Sequence, residues 1–389
     1  MSTYNDASLI YYPSGYKAGK AYSLKPTDGS GDLDFTRAST ATRVNESGLI
    51  EEVAANVPRL DNSQGGCSTL LLEPQRTNLF VNSTNNLTYL GSGVVDNSAG
   101  TSPSGDVDAQ KVTFGAGVND GASLGINTAV SSSTNYILTF YAKSVVGDGT
   151  FKVRVDTNTT TGIVQPIITA TSEWVRYEIL ITTGGTDTAI TTTSRLRPET
   201  ASNEVLFWGF DLQAGSYPTS YIPTSGTAVT RVADAASKSG ISSLIGQTEG
   251  TIYLEGDIQK HNESGFYVTI SNGATINTAI YAYQPSNGNL QVLVRKSGNP
   301  DATLTITSAN WTAGFNKLAI AYTSTTAEVF INGVSKGTTS FVSAPACSKF
   351  TIGSRPDAVG TLVGTGGYNQ AILFPTRLTN TDLAALTTL

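Results

Sequence analysis

Charge, helix-forming residues and long apolar segments are all scarce in this sequence. Of its 389 residues only 14% are charged, and it has one methionine and one histidine. A typical soluble domain has about 25% charged residues. No Glu- and Lys-rich run with helical spacing occurs, whereas there are 17 tyrosines, 13 phenylalanines and 39 glycines. Helical bundles and coiled coils are thereby excluded, and the composition predicts an all-β protein with many short strands.

Basic clusters, membrane-spanning segments and a disulfide framework are also missing. The net charge is −6 and the pI is near 4.9, so we expect no direct nucleic-acid binding. No apolar run approaches about 18 residues. The N-terminus lacks the basic and apolar regions of a signal peptide, so we expect synthesis in the cytosol and no membrane insertion. Cys67 and Cys347 lie far apart in the sequence and are expected to be free thiols.

Residue patterns of known catalytic sites are largely absent. The single histidine, His261, lies in a polar, glycine-containing stretch that predicts a solvated loop, and no nucleophile elbow or phosphate-binding loop occurs. Glu255 and Asp257 would share one face of a strand, a spacing found in some sandwich glucanases. The second acid and the flanking aromatic residues of that pattern are missing. Because a glycosidase needs carboxyl groups that face each other across a groove, we expect no enzyme activity and no catalytic residues.

The chain is longer than one ordinary domain, and its pattern predicts several β-sandwich segments. Alternating apolar strands such as Phe151–Val155 recur between polar turns. Asn332-Gly333 predicts a type I′ hairpin, and Thr381 with Asp382 is expected to cap a C-terminal helix. The predicted fold is all-β: tandem β-sandwich (jelly-roll) domains preceded by an extended N-terminal arm. The predicted segments are a docking arm (1–79), a jelly roll (80–222), a linker (223–249) and a second sandwich (250–389).

Three local patterns make finer predictions. The alternation over Leu206–Leu212 places Trp208 on the same inward face as Phe210. Within the arm, "ATRV" (41–44) is predicted to pair with "GLIEEV" (48–53) across a tight turn. The stretch "TRVAD" (230–234) echoes "TRAST" near residue 36, which indicates either a pairing of two similar edge strands or a coincidence.

Several stretches resemble bacteriophage virion proteins. They are Trp208–Thr230, Leu33–Val53, Asn56–Asp61 ("NVPRLD") and Leu71–Phe80 ("LLEPQRTNLF"). In the resembled family, the first of these stretches closes a jelly roll of the carbohydrate-binding type. Further along, Trp311–Thr338 resembles the laminin-G-like or concanavalin-A-like family.

The resemblance implies a structural virion component, namely a fibre, tail or decoration subunit, located in the virion and assembled in the host cytoplasm. Its arm would dock on other virion proteins or on sister subunits of a homo-oligomer, with a trimer as the first expectation. Its lectin-like sandwiches would attach to bacterial surface glycan. The alternative is a purely structural capsid or tail protein without sugar binding, and a glycan depolymerase is a further alternative.

Sugar recognition relies on aromatic rings that stack on apolar sugar faces beside amide and charged groups. The surface candidates for a glycan site are Tyr281, Tyr283, Gln284, Arg295 and Tyr368. A tyrosine in a strand packs in a core more often than it binds a ligand, so core packing is the alternative for these tyrosines.

No cofactor-binding motif occurs in the sequence, and calcium is the one cofactor that the resemblance implies. The resembled sugar binders often hold one Ca²⁺ through loop carboxylates and carbonyls, because this hard cation takes six to eight oxygen ligands. The candidate ligands are Asp106, Asp108 and Asp211. Solvated loop carboxylates are the alternative for each of them.

Overall fold

The computed structural model describes residues 3–258, 263–357 and 363–389. Within these ranges the secondary structure is nearly all β-strand, with one short α-helix, so the predicted all-β class is confirmed. None of the helices in these ranges is long and apolar enough to cross a membrane. The chain divides into two compact units: unit 1 is Met1–Glu46, Glu52–Gln75 and Val232–Leu389, and unit 2 is Ser47–Glu51 and Arg76–Arg231.

The strands are numbered in chain order. The first are β1 (Leu9–Lys17), β2 (Lys20–Lys25), β3 (Leu33–Thr36), β4 (Ala41–Val44), β5 (Ile50–Val53), β6 (Leu60–Asp61) and β7 (Thr69–Leu72). Next come β8 (Arg76–Asn78), β9 (Thr88–Leu90), β10 (Val94–Gly100), β11 (Ala109–Thr113), β12 (Gly121–Ser123), β13 (Thr128–Ala129), β14 (Asn135–Val146), β15 (Thr150–Arg154), β16 (Ile167–Thr169), β17 (Val175–Thr182), β18 (Ala189–Ile190), β19 (Arg195–Pro198), β20 (Glu204–Ala214) and β21 (Val229–Arg231). The last are β22 (Ala235–Ser239), β23 (Gly250–Ile258), β24 (Gly265–Ser271), β25 (Ala279–Gln284), β26 (Leu290–Arg295), β27 (Ala302–Ile306), β28 (Gly314–Tyr322), β29 (Thr326–Ile331), β30 (Val334–Ser340), β31 (Lys349–Ile352) and β32 (Gly366–Phe374). The helix α1 spans Asn380–Thr387, and single 3-10 turns lie at Thr3–Asp6 and Ser242–Leu244.

Unit 1 is built on one long path of hydrogen-bonded strands. The path runs β27-β26-β25-β24-β31-β22-β3-β2-β1-β32-β23-β28-β29-β30, with β7 on β32 and β6 on β7. A single core contains Ile280 and Val292 from one end of the path and Leu318 and Val329 from the other. Because both ends of the path contribute to one core, the path folds over into two facing layers, which is a β-sandwich.

The N-terminal residues supply internal strands of this sandwich. β1, β2 and β3 lie in the middle of the path, and β1 pairs with β32 near the C-terminus. Leu9, Tyr11 and Phe35 are fully buried in the core. The structure therefore differs from the expected docking arm at 1–79. The difference arises because these short strands are separated by turn formers and pair with strands at the far end of the chain, which local patterns do not reveal.

The expected linker (223–249) also supplies a strand. β22 lies between β3 and β31, with Ala235 opposite Thr36 and Ala236 opposite Ile352. The strand after "TRVAD" (β22) thus pairs with the strand that leads into "TRAST" (β3). Both are internal strands of the sheet, not the edge strands expected from the similarity of the two stretches. β4 and β5 form a two-stranded sheet of their own, as predicted.

Unit 2 is a second sandwich made of two five-stranded sheets. One sheet has the order β10-β11-β20-β14-β17 and the other β16-β15-β19-β12-β9. Aromatic rings fill the core between them: Phe207 lies 5.0 Å from Phe151 and Phe140 lies 5.3 Å from Phe210, measured between ring centroids. Ring pairs at these distances and tilts stabilise the core by dispersion and quadrupole interactions, in addition to the hydrophobic effect of burying their surface.

A β-bulge in β20 places Trp208 on the opposite face from the one predicted. Tyr141 pairs with Trp208 and Thr139 with Asp211, so β20 has one more residue than β14 over this stretch. Gly209 provides the left-handed conformation of the bulge, with φ +68°. Beyond the bulge, Phe210 returns to the core, whereas Trp208 packs on the other face of the sheet. A strict alternation of two cannot anticipate this shift.

The local turn predictions agree with the structure in one case and differ in another. Asn332 and Gly333 have φ values of 51° and 81°, so the predicted type I′ turn between β29 and β30 is confirmed. The cap of α1 is Thr379, not Thr381 or Asp382: its hydroxyl accepts a hydrogen bond from the Asp382 amide at 3.2 Å. The helix begins earlier than predicted because Thr379 keeps the extended backbone that an N-cap requires.

Candidate functional site

The structure separates the five predicted glycan residues into two groups. In β25, alternation points Tyr281 and Tyr283 away from the main core and Gln284 into it. Gln284 is buried, accepts a hydrogen bond from the Tyr267 hydroxyl at 3.0 Å and donates to a backbone carbonyl. Tyr368 is a core residue whose hydroxyl donates to the Gly364 carbonyl at 2.7 Å. Gln284 and Tyr368 are therefore internal, contrary to the surface position expected for them, and Tyr281, also expected at the surface, is buried at 3% exposure.

The remaining residues form a continuous cluster, which we call the tyrosine face. It consists of Phe266 on β24, Tyr281 and Tyr283 on β25, and Leu293 and Arg295 on β26. The Phe266 ring centroid lies 5.1 Å from Tyr281 and 5.3 Å from Tyr283, and the two tyrosine rings are 5.8 Å apart. Phe266 and Tyr281 are buried, whereas Tyr283 is only partly buried and is the most accessible ring of the three.

Two ion pairs border these rings. The Arg295 guanidinium lies 5.9 Å from the Tyr281 ring centroid, and its Nε lies 2.9 Å from Asp301 Oδ2. Arg355 Nε lies 2.6 Å from Asp357 Oδ1. Both pairs are partly exposed to solvent. Planar guanidinium–carboxylate pairs next to rings are suited to hydroxyl-rich ligands, because they offer donors and acceptors in fixed directions.

The titration properties of the face follow from its burial. Burial raises the pKa of Tyr281 to about 12, and Arg295 opposes the increase. The phenol is therefore a neutral hydrogen-bond donor and acceptor at physiological pH. Burial also acts to raise the pKa of Asp357, but the hydrogen bonds from Arg355 and from the Ile276 amide outweigh it and hold that pKa below its usual range. The Asp357 carboxyl therefore stays ionised beside Arg355.

The three aspartates predicted as calcium ligands do not form one ligand set. Asp106 is exposed in a turn, where Ser104 donates to it at 3.3 Å. Asp108 accepts a hydrogen bond from Trp208 Nε1 at 2.9 Å. Asp211 is fully buried, where the Ile222 amide donates to it at 3.1 Å, and burial raises its pKa to about 6. In the described ranges, no group of three or more His, Cys, Asp or Glu side chains could hold a metal ion.

The aromatic residue singled out in the jelly roll is likewise engaged internally. Trp208 is buried, with its ring 5.7 Å from Tyr141 and 4.7 Å from Tyr221. Tyr221 belongs to the proline-containing strap that follows β20, and its hydroxyl lies within hydrogen-bond distance of Ser83. Trp208 therefore holds the strap and is not positioned to stack on a ligand.

The carboxylates that were weighed for catalysis have no acidic cross-strand neighbour. Glu255 accepts a hydrogen bond from the Tyr253 hydroxyl at 2.6 Å, and Lys317 and Gln370 lie opposite it on β28 and β32. Asp257 lies opposite Phe315 and Gly367. His261 lies outside the described residues.

Sequence reasoning missed a buried ion network formed by three residues of the motifs that carry the phage resemblance and by Asp234. Arg37 Nη1 lies 3.1 Å from Asp234, Arg59 Nη1 lies 2.8 Å from Glu73, and Arg59 also pairs with Asp234. The four side chains are almost completely buried. Burial acts to lower the pKa of Arg59, but Asp234 and Glu73 raise it above its ordinary value. The available signal was the presence of charged residues inside apolar stretches of a chain that is poor in charge.

Comparison with known proteins gives only distant structural similarities. No protein-family model matches the chain, and no curated protein matches it. The CBM40 of the Ruminococcus gnavus IT-sialidase, bound to α2,3-sialyllactose, is 18% identical, covering 37% of this chain and 84% of that one with a TM-score of 0.32. The NanB sialidase of Streptococcus pneumoniae is 16% identical, covering 39% of this chain and 26% of that one with a TM-score of 0.33. A pentraxin of Limulus polyphemus is 16% identical, covering 35% of this chain and 68% of that one with a TM-score of 0.27.

This chain spans about a quarter of the length of NanB. Superpositions with such low TM-scores do not assign a function to the chain. The function must be argued from the chain's own residues.

Proposed function

We propose that this chain is a virion component of a bacteriophage that attaches to bacterial surface glycan through the tyrosine face of unit 1. The observation that carries the glycan part is the cluster of Phe266, Tyr281 and Tyr283, flanked by the Arg295–Asp301 pair. Sugar rings have apolar faces and polar edges. A partly exposed ring beside a paired guanidinium and carboxylate matches both features.

The physical roles within the face differ from residue to residue. Phe266 and Tyr281 are buried and fix the position of the Tyr283 ring, Phe266 by stacking against it and Tyr281 by an edge-on contact. Tyr283 would then supply the stacking surface for a sugar. Arg295 and Asp301 would exchange hydrogen bonds with sugar hydroxyls, and their ion pair would reduce the cost of ordering the two side chains.

The virion part of the proposal rests on the motifs, which supply three of the four members of the buried ion network of unit 1. Arg37, Arg59, Glu73 and Asp234 come from three separate motifs and the strand region after the strap. We propose that the assembled form is a homo-oligomer in the virion and that the chain is not an enzyme. A depolymerase would need two carboxyl groups that face each other across a groove at a separation of about 5–9.5 Å. Glu255 and Asp257 share one strand face instead.

A purely structural role is the second candidate. It is favoured by the burial of two of the three rings in the tyrosine face. In that case the cluster would be a small satellite core and would bind no sugar.

The test is a glycan array and a host-cell binding assay with the purified full chain and two variants. Tyr283→Ala should weaken binding about tenfold or more, equivalent to 1.4 kcal/mol. Tyr89→Ala is the matched control, because Tyr89 is 71% exposed in unit 2 and lies outside the tyrosine face. Its binding should equal that of the unchanged chain.

Parallel measurements separate the alternatives. A folded oligomer that binds neither cells nor any glycan would favour the structural role. Release of new reducing ends from capsule or wall glycan would favour a depolymerase. Loss of binding on adding EDTA would add a calcium requirement, whereas unchanged binding would remove calcium from the proposal.

A further inference from the structure

Unit 2 carries four cationic side chains side by side on one face of its second sheet. They are Lys152 and Arg154 on β15 and Arg195 and Arg197 on β19, and we call them the cationic array. Arg154 lies directly opposite Arg195, and Lys152 lies directly opposite Arg197. Their neighbours in sequence, such as Val153, point into the core, so all four basic side chains share the outer face.

Such an arrangement is costly for the fold. Directly opposed side chains of an antiparallel pair have Cβ atoms about 4.5–5.5 Å apart, and like charges in these positions are destabilising. The whole chain has only 24 lysines and arginines and a net charge of −6. The two pairs of like charges, which are neighbours on the outer face of the sheet, therefore do not result from a generally basic composition.

Carboxylates offset only half of the array. Glu199 lies 2.5 Å from the Lys152 ammonium, and Asp156 lies 2.8 Å from Arg154 Nε. Neither Arg195 nor Arg197 forms an ion pair among the described residues. Burial lowers the pKa of Arg195, Arg154 and Arg197 add to this decrease, and Asp156 opposes it.

Neutral oxygens hold the two arginines in place. Arg195 Nε donates to the Thr193 carbonyl at 3.1 Å and its Nη1 to Asn119 Oδ1 at 3.2 Å. Arg197 Nε donates to the Val118 carbonyl at 2.7 Å. These bonds orient each guanidinium through its Nε, and that of Arg195 also through Nη1, so the remaining terminal N–H groups are pre-ordered for a planar anion.

We propose that the cationic array binds an anionic polysaccharide through its carboxylate, sulfate or phosphate groups. The positive charge of the array favours a polyanion as its ligand. The side chains on the neighbouring strands β12 and β9 favour a sugar polymer among the polyanions. Ser123 lies opposite Arg195, and Thr88 lies opposite Ser123, so the row continues with hydroxyl side chains. A single-stranded nucleic acid would be matched better by aromatic rings in this row. The site lies in unit 2 and is independent of the tyrosine face.

The test measures binding of dextran sulfate and of uncharged dextran to the full chain over a range of salt concentrations. Dextran sulfate should bind and uncharged dextran should not, and affinity should fall as salt rises. Arg195→Gln with Arg197→Gln should reduce the affinity at least tenfold and remove most of the salt dependence, because the two cations without a carboxylate partner are lost. Lys17→Gln with Lys143→Gln is the control for loss of the same charge elsewhere, and it should bind as the unchanged chain does.

Folding and ligand class are checked with the same proteins. The Arg195→Gln, Arg197→Gln variant should keep its thermal stability, because it removes like-charge repulsion. Arg195→Lys with Arg197→Lys should retain part of the affinity, since the charge stays and only the planar fork is lost. Equal loss in the control variant, or an unaltered affinity in the double glutamine variant, would overturn the proposal. Single-stranded DNA that competes as strongly as dextran sulfate would overturn the assignment to polysaccharide.

Discussion

Replacing Asp234 by asparagine should destabilise unit 1 by several kcal/mol. The Asp234 carboxylate lies 3.1 Å from Arg37 Nη1, pairs with Arg59 and accepts the Glu73 amide at 2.9 Å, with no exposure to solvent. Asparagine keeps one acceptor oxygen but turns an NH₂ group toward a guanidinium. The buried network would then contain two guanidiniums and only one carboxylate, that of Glu73. Breaking a buried ion pair in this way costs about 3–5 kcal/mol.

The three tryptophans allow the two units to be followed separately. Trp311 lies in unit 1, whereas Trp174 and Trp208 lie in unit 2. With 5-fluorotryptophan incorporated, fluorine NMR during urea unfolding reports each ring. For a urea m-value of about 2–3 kcal/mol/M, the Trp311 transition of Asp234→Asn should move down by about 1–2 M. The Trp174 and Trp208 transitions should not move.

Asp34→Asn is the matched control, because it makes the same chemical change in an exposed pair of unit 1. Asp34 pairs with Lys20, and their side chains are 54% and 32% exposed. Exposed pairs contribute at most about 1 kcal/mol, so this variant should shift the Trp311 transition only slightly. Equal shifts for Asp34→Asn and Asp234→Asn would refute the claim that the buried network stabilises unit 1.

Three further predictions concern single side chains. Burial raises the pKa of Asp211 to about 6, above the unfolded value of about 3.9. Its contribution to the stability of unit 2 is therefore fully present below about pH 4 and is lost as pH rises through 6. The free energy of unfolding should fall by about 3 kcal/mol over this range. Asp211→Asn should abolish this pH dependence. Gly209→Ala should cost unit 2 about 1–2 kcal/mol, because φ +68° is unfavourable for alanine and the added Cβ would lie 3.2 Å from a tyrosine ring. In thiol titration, exposed Cys67 should react at once and buried Cys347, whose pKa burial raises to about 12, only after unfolding.

Each of these has a direct check. Urea unfolding at pH 3.5 and 7.5 measures the contribution of Asp211 to the free energy of unfolding, and an Asp211→Asn protein with the wild-type pH dependence would contradict the prediction. Gly226→Ala isolates the backbone term at φ +83° with no atom within 4 Å of the added Cβ, so it should cost less than Gly209→Ala. Two thiols that react at the same rate in the native protein would contradict the burial of Cys347.

Features that depend on a few adjacent residues were predictable from the sequence. The all-β class follows from composition, the inward faces of β15 and β17 follow from alternation, and the Asn332-Gly333 turn follows from the preference of those residues for positive φ. Tyr281, Tyr283 and Arg295 were among the predicted candidates, and alternation along β25 places the two tyrosines on one strand face. The same alternation points Gln284 to the opposite face of the strand, because Gln284 directly follows Tyr283.

Features that depend on strand pairing were decided only by the tertiary structure. A one-residue bulge at Gly209 moved Trp208 to the other face. Pairing of β22 with β3 and β31 turned a presumed linker into part of a sandwich and brought Asp234 to Arg37.

The composition and period of this sequence therefore determined its class of secondary structure, most strand faces and its tightest turn, because these depend on local conformational preference. Its tertiary structure decided which distant strands are neighbours. That choice gathered the buried ion network from four parts of the chain and set Arg154 opposite Arg195. Hydrogen-bond ladders join backbone groups whatever their side chains, so strand order and register are settled by the burial of whole faces at once and not by any one stretch of sequence.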